Sequence, residues 1–368
     1  MDLPEIDCYT KLLGSDVPLI DVRAPVEYTQ GAFPFASNYP LMNDEERRLI
    51  GICYKQHGQQ KAIELGQKLV SGDLKNTRVD PWEKFAKQHP KGALYCFRGG
   101  LRSKIAQQWI YEQTGILYPR VKGGYKALRH FLLEQLDTLA ICLEPVIIGG
   151  RTGVGKTLLL HQLHQQIDLE GIYGHRGSAF GKHVFPQPSQ IDVENDLSIA
   201  MLKFSINNIY NIALEDEAAN IGSRQLPKAL FQKMQQAPLI LLEANADQRV
   251  DIVFNEYVTE ALTQFSSVLG ECNGTAAWIE NLTTSLDKIK RRLGGARFKA
   301  LHDQVMDAIH IQQTQHDTKQ HKQWIKILLT EYYDPMYDYQ ISKKAQRIVF
   351  SGEQDAVIQY LELNHNIR

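Results

Sequence analysis

The sequence predicts an α/β protein made of two α/β units in tandem, the second of which continues into a helical C-terminal part. Three observations carry this expectation. Short apolar runs alternate with helix-patterned segments from the N-terminus to about residue 135. Glu144-Pro145 then breaks the pattern, and a new apolar strand and a glycine loop follow at once. From about 265 to 330 the chain is charged, glutamine-rich and helix-patterned. The implied divisions are 1–135, 141–265 and 266–368.

The elements follow in order. Val17-Pro18-Leu19-Ile20-Asp21-Val22 is an apolar strand ending in a polar turn, and Ala93-Leu94-Tyr95-Cys96-Phe97 is a second, closed by Gly99-Gly100. Ser103 to Tyr111 spaces Ile105, Ala106, Trp109 and Ile110 as a helix does, with Ser103 at its start. Leu128 to Ala140 reads as a linking helix. The second unit opens on the strand Val146-Ile147-Ile148 and a helix from Thr157 to Gln166. Asn211–Leu214 and Pro238–Leu242 are further short strands, and Arg347-Ile348-Val349-Phe350 is a late one that returns to the second sheet.

Composition excludes several classes. Of 368 residues 43% are hydrophobic and 23% charged, so the chain can bury a core and is not disordered. No apolar run approaches the ~18 residues of a bilayer span. Met1-Asp2-Leu3-Pro4-Glu5 is acidic and lacks the order of a signal peptide, so a cytoplasmic protein is expected. The five cysteines, Cys8, Cys53, Cys96, Cys142 and Cys272, form no CxxC pair, which argues against a disulfide framework or a structural zinc site. Each is by default a small buried apolar residue. The formal net charge of −1 requires any nucleic-acid surface to be local.

Gly150-Arg151-Thr152-Gly153-Val154-Gly155-Lys156-Thr157 matches G-x-x-x-x-G-K-[ST]. The glycines Gly150, Gly153 and Gly155 let the backbone curl so that several N–H groups face one anion. The helix that follows adds its N-terminal partial charge. Lys156 reaches a terminal phosphate and Thr157 can hold Mg²⁺. The loop recognises a polyphosphate and identifies no base. Leu214-Glu215-Asp216-Glu217 is the candidate acidic strand end, against a solvated helix face.

Cys96-Phe97-Arg98-Gly99-Gly100-Leu101-Arg102-Ser103 places a cysteine at a strand end with a helix after it. Such a loop turns its N–H groups around the sulfur, and the helix dipole, Arg98 and Arg102 favour the thiolate. The sulfur is then a nucleophile near neutral pH, and the cradle holds an oxyanion or a sulfur-bound chalcogen. The same C-x5-R spacing occurs in cysteine phosphatases. For the other four cysteines the surroundings favour a structural reading.

Two basic clusters stand out. Arg120, Lys122, Lys126, Arg129 and His130 form one; Lys288, Lys290, Arg291, Arg292, Arg297 and Lys299 form the other, and neither has an acid between its members in sequence. Lys122, Arg291, Arg292 and Arg297 are candidates for phosphate contacts, against solvated helix faces. Tyr332, Tyr333, Tyr337 and Tyr339 are candidates for base stacking, with core packing expected for at least two.

The first segment resembles a rhodanese domain. Leu19-Ile20-Asp21-Val22-Arg23, Glu27-Tyr28 and Gly31-Ala32-Phe33-Pro34 look like that family's entry motif, and Cys96 falls at its sulfur-accepting cysteine. The Asp21/Arg23 pair reads as structural there, and the phosphatase reading recedes. Five segments extend the likeness over nearly the whole chain. They are Leu41–Arg47, Gly51–Gly58, Tyr95–Ser103, Gly174–Gly181 and Tyr332–Tyr339, and together they resemble the tRNA 2-selenouridine synthase family.

That resemblance implies an activity. Sulfur of wobble 2-thiouridine in tRNA is replaced by selenium, first by S-geranylation with geranyl diphosphate, then by selenium derived from selenophosphate. The reading of the residues fits that activity: as expectations, a Cys96 perselenide delivers selenium to C2, Gly99, Gly100, Arg98 and Arg102 form the anion cradle, and the glycine loop holds the prenyl diphosphate. His175 and Arg176, in a glycine-flanked loop, become substrate-loop candidates. No tightly bound cofactor is implied, Mg²⁺ stays open, and a monomer is expected. Two other readings fit the motifs. One is an NTP-dependent sulfurtransferase or kinase fused to a rhodanese domain; the other is a non-catalytic tRNA- or nucleotide-binding module.

Overall fold

The computed structural model describes residues 3–368, which fall into two compact units. The first holds the chain through Leu139 together with Ser189–Asn207. The second holds Ala140–Pro188 and Asn208–Arg368.

The first unit is built on a five-stranded parallel sheet in the order β1 (Glu5–Ile6), β5 (Arg120–Val121), β4 (Ala93–Tyr95), β2 (Leu19–Asp21), β3 (Ala36–Asn38). β2 and β4 are buried throughout, as strands of a sheet covered on both faces must be. Trp82, Phe85, Leu94, Ile110 and Tyr118 lie in one core cluster on this sheet. In such sheets ligands gather outside the carboxyl ends of the strands, and Cys96 follows β4 directly. Asp21 and Arg23 are both buried and doubly bonded to each other, at 2.8 and 2.6 Å, with Arg23 also bonding the Gly31 carbonyl at 2.8 Å.

One helix overturns the expected boundary. The helix Gln190–Ile206 lies inside the stretch assigned by sequence to 141–265, yet it belongs to the first unit. Its buried polar side chains find their partners only there. Asn195 Nδ2 donates to the Ala32 carbonyl at 2.6 Å, Ser198 Oγ to the Leu132 carbonyl at 2.9 Å, and the Ala32 amide donates to Asp192 Oδ1 at 2.8 Å. A buried polar group without a partner costs several kcal/mol, so these bonds fix the helix in place.

The same helix carries a carboxyl whose charge burial disfavours. Burial, and then the neighbouring Asp192, push the Asp196 carboxyl up to about 6, against the pull of Lys203. The unfolded carboxyl ionises near 4. Between these values the folded state holds a proton that the unfolded state has lost, so stability falls as pH rises through the window and levels above it. Asp196→Asn is therefore expected to stabilise the protein by about 1–2 kcal/mol at pH 8 and not at pH 4, read by urea denaturation. An equal gain at both pH values would refute this.

The second unit has a five-stranded parallel sheet in the order β12 (Ile348–Gly352), β11 (Leu239–Leu242), β6 (Glu144–Gly149), β8 (Asn211–Glu215), β7 (Gln166–Ile167). A two-stranded antiparallel hairpin joins β9 (Asn220–Ile221) to β10 (Arg224–Gln225). β12 pairs with β11, so the late strand returns to this sheet. The helix after the glycine loop is shorter than its expected span of Thr157 to Gln166: it runs Lys156–Leu160. The chain leaves it because the residues beyond join the sheet, with the Gln165 carbonyl accepting from the Ala213 amide at 2.9 Å and Gln166 opening β7.

The C-terminal part of this unit is helical and has a core of its own around Trp278, Leu286, Val305 and Trp324. Two π-helical turns, Asn255–Glu260 and Leu328–Tyr333, interrupt it. Such turns recur at functional sites because they re-aim the side chains they carry. No helix among the described residues is long and apolar enough to cross a membrane.

Candidate functional site

In the first unit, Cys96 is 3% exposed at the floor of a cavity of about 720 Å³. Arg23, Glu27, Arg47, Arg98, Arg102 and Tyr125 are among its walls. The loop is held from behind. The amides of Tyr125 and Lys126, at the start of the helix Gly124–Cys142, bond the Cys96 and Phe97 carbonyls at 2.9 Å each. Gly124 has φ +60°, and a Cβ there would stand 2.2 Å from the Cys96 oxygen, so this close approach requires glycine. With those carbonyls committed outward, the first-turn amides of the helix Leu101–Thr114 end the loop on the cavity side. The Cys96 thiol donates to Ser103 Oγ at 3.2 Å, and Ser103 Oγ donates to the Gly100 carbonyl at 3.0 Å. Ser103 thus sits three residues inside the helix, where it supports the sulfur; the N-cap is Gly100.

Arg102 lines the cavity, but its hydrogen bonds go to a carboxylate. Its guanidinium grips Glu27 with both nitrogens, at 2.6 and 3.1 Å, and Arg47 approaches the same carboxylate at 3.1 Å. Burial pushes the Glu27 carboxyl up, but the Arg102 bond and the two cationic charges outweigh it and hold it below its ordinary value. Two guanidinium groups sharing one carboxylate leave a net positive charge, and the exposed Arg98 adds another. The cavity therefore suits an anion beside a sulfur nucleophile. Sequence reasoning placed Glu27 in the entry motif and Ser103 at a helix start but missed their roles here, since their partners are set by the fold.

Cys8, Cys142 and Cys272 are exposed and Cys53 is half-buried, so the expectation of buried apolar cysteines fails for these four; Cys96 alone is buried. Their positions on helix surfaces and termini, not in the cores, account for it.

In the second unit, the glycine loop leaves the central strand β6. Gly150 has φ +145°, and a Cβ there would meet the Leu242 carbonyl at 2.6 Å. Lys156 and Thr157 open the helix that follows, which is only five residues long, so loop amides outweigh its dipole in any anion binding. The pocket they line is acidic. Thr157 Oγ1 bonds Glu170 Oε2 at 3.3 Å, and Glu170 Oε1 accepts the Gly177 amide at 2.5 Å. Burial, then Glu170, push Glu217 up to about 8 despite Lys156. Burial likewise raises Glu256 to about 7, against Arg176. Lys156 is held above its ordinary value: burial pulls it down, but Tyr337, Glu170, Glu217 and Glu215 prevail.

The three acids at the end of β8 separate clearly. Glu215 ends the strand, is buried, and accepts the Leu169 amide at 2.8 Å, while its other oxygen has no partner. Burial, then Asp168, Glu170 and Glu217, raise it well above the ordinary range. Asp216 pairs with Lys344 at 2.7 Å. Of these three, Asp216 and Glu217 line the glycine-loop pocket, and of those two only Glu217 is not paired with Lys344. Glu170, which sequence reasoning missed, reaches Thr157 from a neighbouring helix, Leu169–Tyr173.

Arg176 lines the same pocket and lies 3.6 Å from Glu260. His175 is half-buried, its Nδ1 is unpartnered, and burial lowers its pKa. Residues of the chain's end also close on the loop. Arg249 grips Asp334 at 3.0 and 2.6 Å, Arg151 bonds Asp338 at 2.7 Å, and Met336, Tyr337 and Gln340 are pocket walls. Tyr333 is buried, Tyr332 and Tyr337 pack on the helical core, and Tyr339 is 62% exposed with Lys343 over its ring.

The two basic clusters have different fates. Lys288, Lys290, Arg291, Arg292, Arg297 and Lys299 are all exposed about the turn at Gly294, where one helix ends at Leu293 and the next begins. The cluster at 120–130 is largely answered by acids from elsewhere: Arg120 by Glu5, Lys122 by Asp7, Arg129 by Glu194 and His130 by Glu134. Its isolated basic character in sequence disappears on folding.

Comparison with known proteins gives a consistent result. A family model described as tRNA 2-selenouridine synthase AAA domain matches residues 143–367. Proteins named tRNA 2-selenouridine synthase match along almost their whole length. That of Shewanella piezotolerans is 48% identical over 356 residues, 97% of each chain. That of Marinobacter nauticus is 48% identical over 357 residues, again 97% of each. That of Azotobacter vinelandii is 49% identical over 353 residues, 96% of this chain and 95% of the relative.

Proposed function

This chain belongs to the tRNA 2-selenouridine synthase family, and from that premise we propose that it exchanges sulfur for selenium in 2-thiouridine of tRNA by way of an S-geranyl intermediate. The observation that carries the reading is the buried Cys96 at the floor of a cationic cavity, in a chain that also has a phosphate-binding glycine loop. Alkylation converts the thiocarbonyl sulfur from a poor leaving group into a good one. Selenium then displaces the S-geranyl group at C2.

The glycine loop is the seat for the diphosphate of geranyl diphosphate. Beside it, a cavity of about 580 Å³ shares Thr157, Glu170, Arg176 and Glu256 with the loop's own pocket and adds Leu158, Ile252 and Phe254. A charged mouth with an apolar wall suits a prenyl diphosphate. Lys156 and Arg176 stabilise the diphosphate as it leaves. Among the described residues no three His, Cys, Asp or Glu side chains are arranged as a metal site. The acidity around Thr157 nevertheless suits a cation carried in with the diphosphate, and Thr157, Glu170 and Glu217 would hold it. Such a Mg²⁺ supplies charge neutralisation.

Cys96 carries the selenium in this reading. Its thiolate attacks the selenium of selenophosphate. The outer selenium of the perselenide so formed attacks C2 and expels geranyl thiolate. That thiolate then attacks the Cys96 sulfur, forming a mixed disulfide and freeing selenium as the C2 selenone, and a thiol reductant regenerates Cys96. Making an S–Se bond from a thiolate and selenide-level selenium removes two electrons, and phosphorus must take them, so phosphite leaves. Exposed Arg291, Arg292 and Arg297 are the tRNA phosphate contacts that the fold leaves available, and Lys122 is a weaker one because of Asp7. The first unit is read as rhodanese-like on this basis, with one chain as the working form.

The test is nucleoside mass spectrometry of 2-thiouridine tRNA with geranyl diphosphate, then selenophosphate, with phosphorus NMR of the spent mixture. S-geranyl-2-thiouridine followed by 2-selenouridine and phosphite is expected. ATP hydrolysis without modification would replace this reading by the NTP-dependent sulfurtransferase or kinase. Phosphate in place of phosphite would remove the perselenide and leave selenophosphate itself to attack C2.

A further inference from the structure

A second cavity of the first unit takes no part in that account. It is a groove of about 300 Å³ between the helical segments 44–69 and 101–114, and it is walled by Met42, Ile50, Ala62, Ile63, Ile105 and Trp109. Its lining is mainly apolar, with Gln59, Gln67 and Arg102 as its polar members. Tyr54, Leu101 and Arg102 line both this groove and the Cys96 cavity, so the two adjoin. Leu101 is 43% exposed and Tyr54 57%, though apolar side chains at a junction of two cavities would ordinarily be covered.

We propose that this groove holds the ten-carbon isoprenoid chain of the S-geranyl base while its C2 faces Cys96, an inference that rests on the S-geranyl reading above. The argument is one of chemistry and adjacency. A free nucleobase in the groove would leave its ring nitrogens and carbonyls without partners, which such walls penalise. An isoprenoid chain has nothing to pair and gains from every apolar contact. A separate apolar partner would have no reason to adjoin the anion cavity. An alkyl chain bonded to the very sulfur that must leave at C2 has to lie next to it. The groove thus recognises the leaving group, and it separates alkylated base from untreated 2-thiouridine, which has nothing to place there.

The proposal can be tested apart from the first step. Two anticodon stem-loop RNAs would be prepared chemically, one with S-geranyl-2-thiouridine and one with S-methyl-2-thiouridine, and given to the full chain with selenophosphate. The wild type is expected to form 2-selenouridine from the S-geranyl RNA at least about tenfold faster, in kcat/KM, than from the S-methyl RNA. Ile63→Glu, which sets a charge on the half-buried groove wall, is expected to bring that ratio close to one; Ile63→Leu should keep it. Because the readout is a ratio within one preparation, a partly misfolded variant does not imitate the result. An unchanged ratio in Ile63→Glu, or no preference in the wild type, overturns the groove while leaving the S-geranyl route standing. A wild type that selenates neither RNA overturns the S-geranyl route and the groove with it.

Discussion

Cys96→Ala is expected to abolish 2-selenouridine formation, by about 10³-fold or more, while 2-thiouridine is still geranylated at a rate close to that of the wild type. The sulfur is the only buried thiol among the described residues and stands at the floor of the cationic cavity. Its removal takes away the nucleophile and little else. The Ser103 hydroxyl keeps its bond to the Gly100 carbonyl, and the loop stays held by the Tyr125 and Lys126 amides. One weak hydrogen bond and one sulfur atom are lost, which costs about 1–2 kcal/mol and a few degrees in Tm. S-geranyl-2-thiouridine should therefore accumulate in tRNA treated with both donors. Loss of geranylation in proportion to selenation would show that Cys96 serves both steps or the fold, and the assignment of selenium transfer to this sulfur would fail.

Lys156→Ala is expected to show the opposite pattern: geranylation falls by about 10²–10⁴-fold, while chemically geranylated RNA is still selenated. Lys156 is the cation placed among Glu170, Glu215 and Glu217, and burial has not cost it its charge, because those carboxyls and Tyr337 hold its pKa up. Without it, the diphosphate meets an acidic pocket with only Arg176 to offset the repulsion. Single-turnover rates with each RNA separate the two steps. If Lys156→Ala geranylates normally but no longer binds ATP, the loop is a nucleotide site and the prenyl diphosphate belongs elsewhere.

Much of this molecule is legible in its sequence. The buried strands that lead into both loops are continuous apolar runs, and the two loops are short motifs whose glycines and charges act within eight residues. Local sterics and periodicity decide such features, so residues close in sequence suffice to reveal them. The Asp21/Arg23 pair belongs here too, two residues apart and bonded as expected. The late strand at 348 is legible for the same reason, and in the sheet it pairs with β11, about a hundred residues earlier in the chain.

Packing decided the rest. Arg102 reads from sequence as a cradle for the sulfur, but 75 residues away Glu27 claims it. Thr157 finds Glu170, and Asp216 finds Lys344 across 128 residues. The basic run at 120–130 is answered by Glu5, Asp7 and Glu194, and the helix 190–206 leaves its sequence neighbours for the first unit because Asn195 and Ser198 are satisfied there. Charge pairing and the satisfaction of buried polar groups depend on distance in space, which falls off over a few ångströms and is unrelated to separation along the chain. The sequence by itself determined which loops are the candidates for chemistry and on what kind of scaffold they stand. Which charges remain free to act in those loops was decided only when the tertiary structure brought distant carboxylates and cations together.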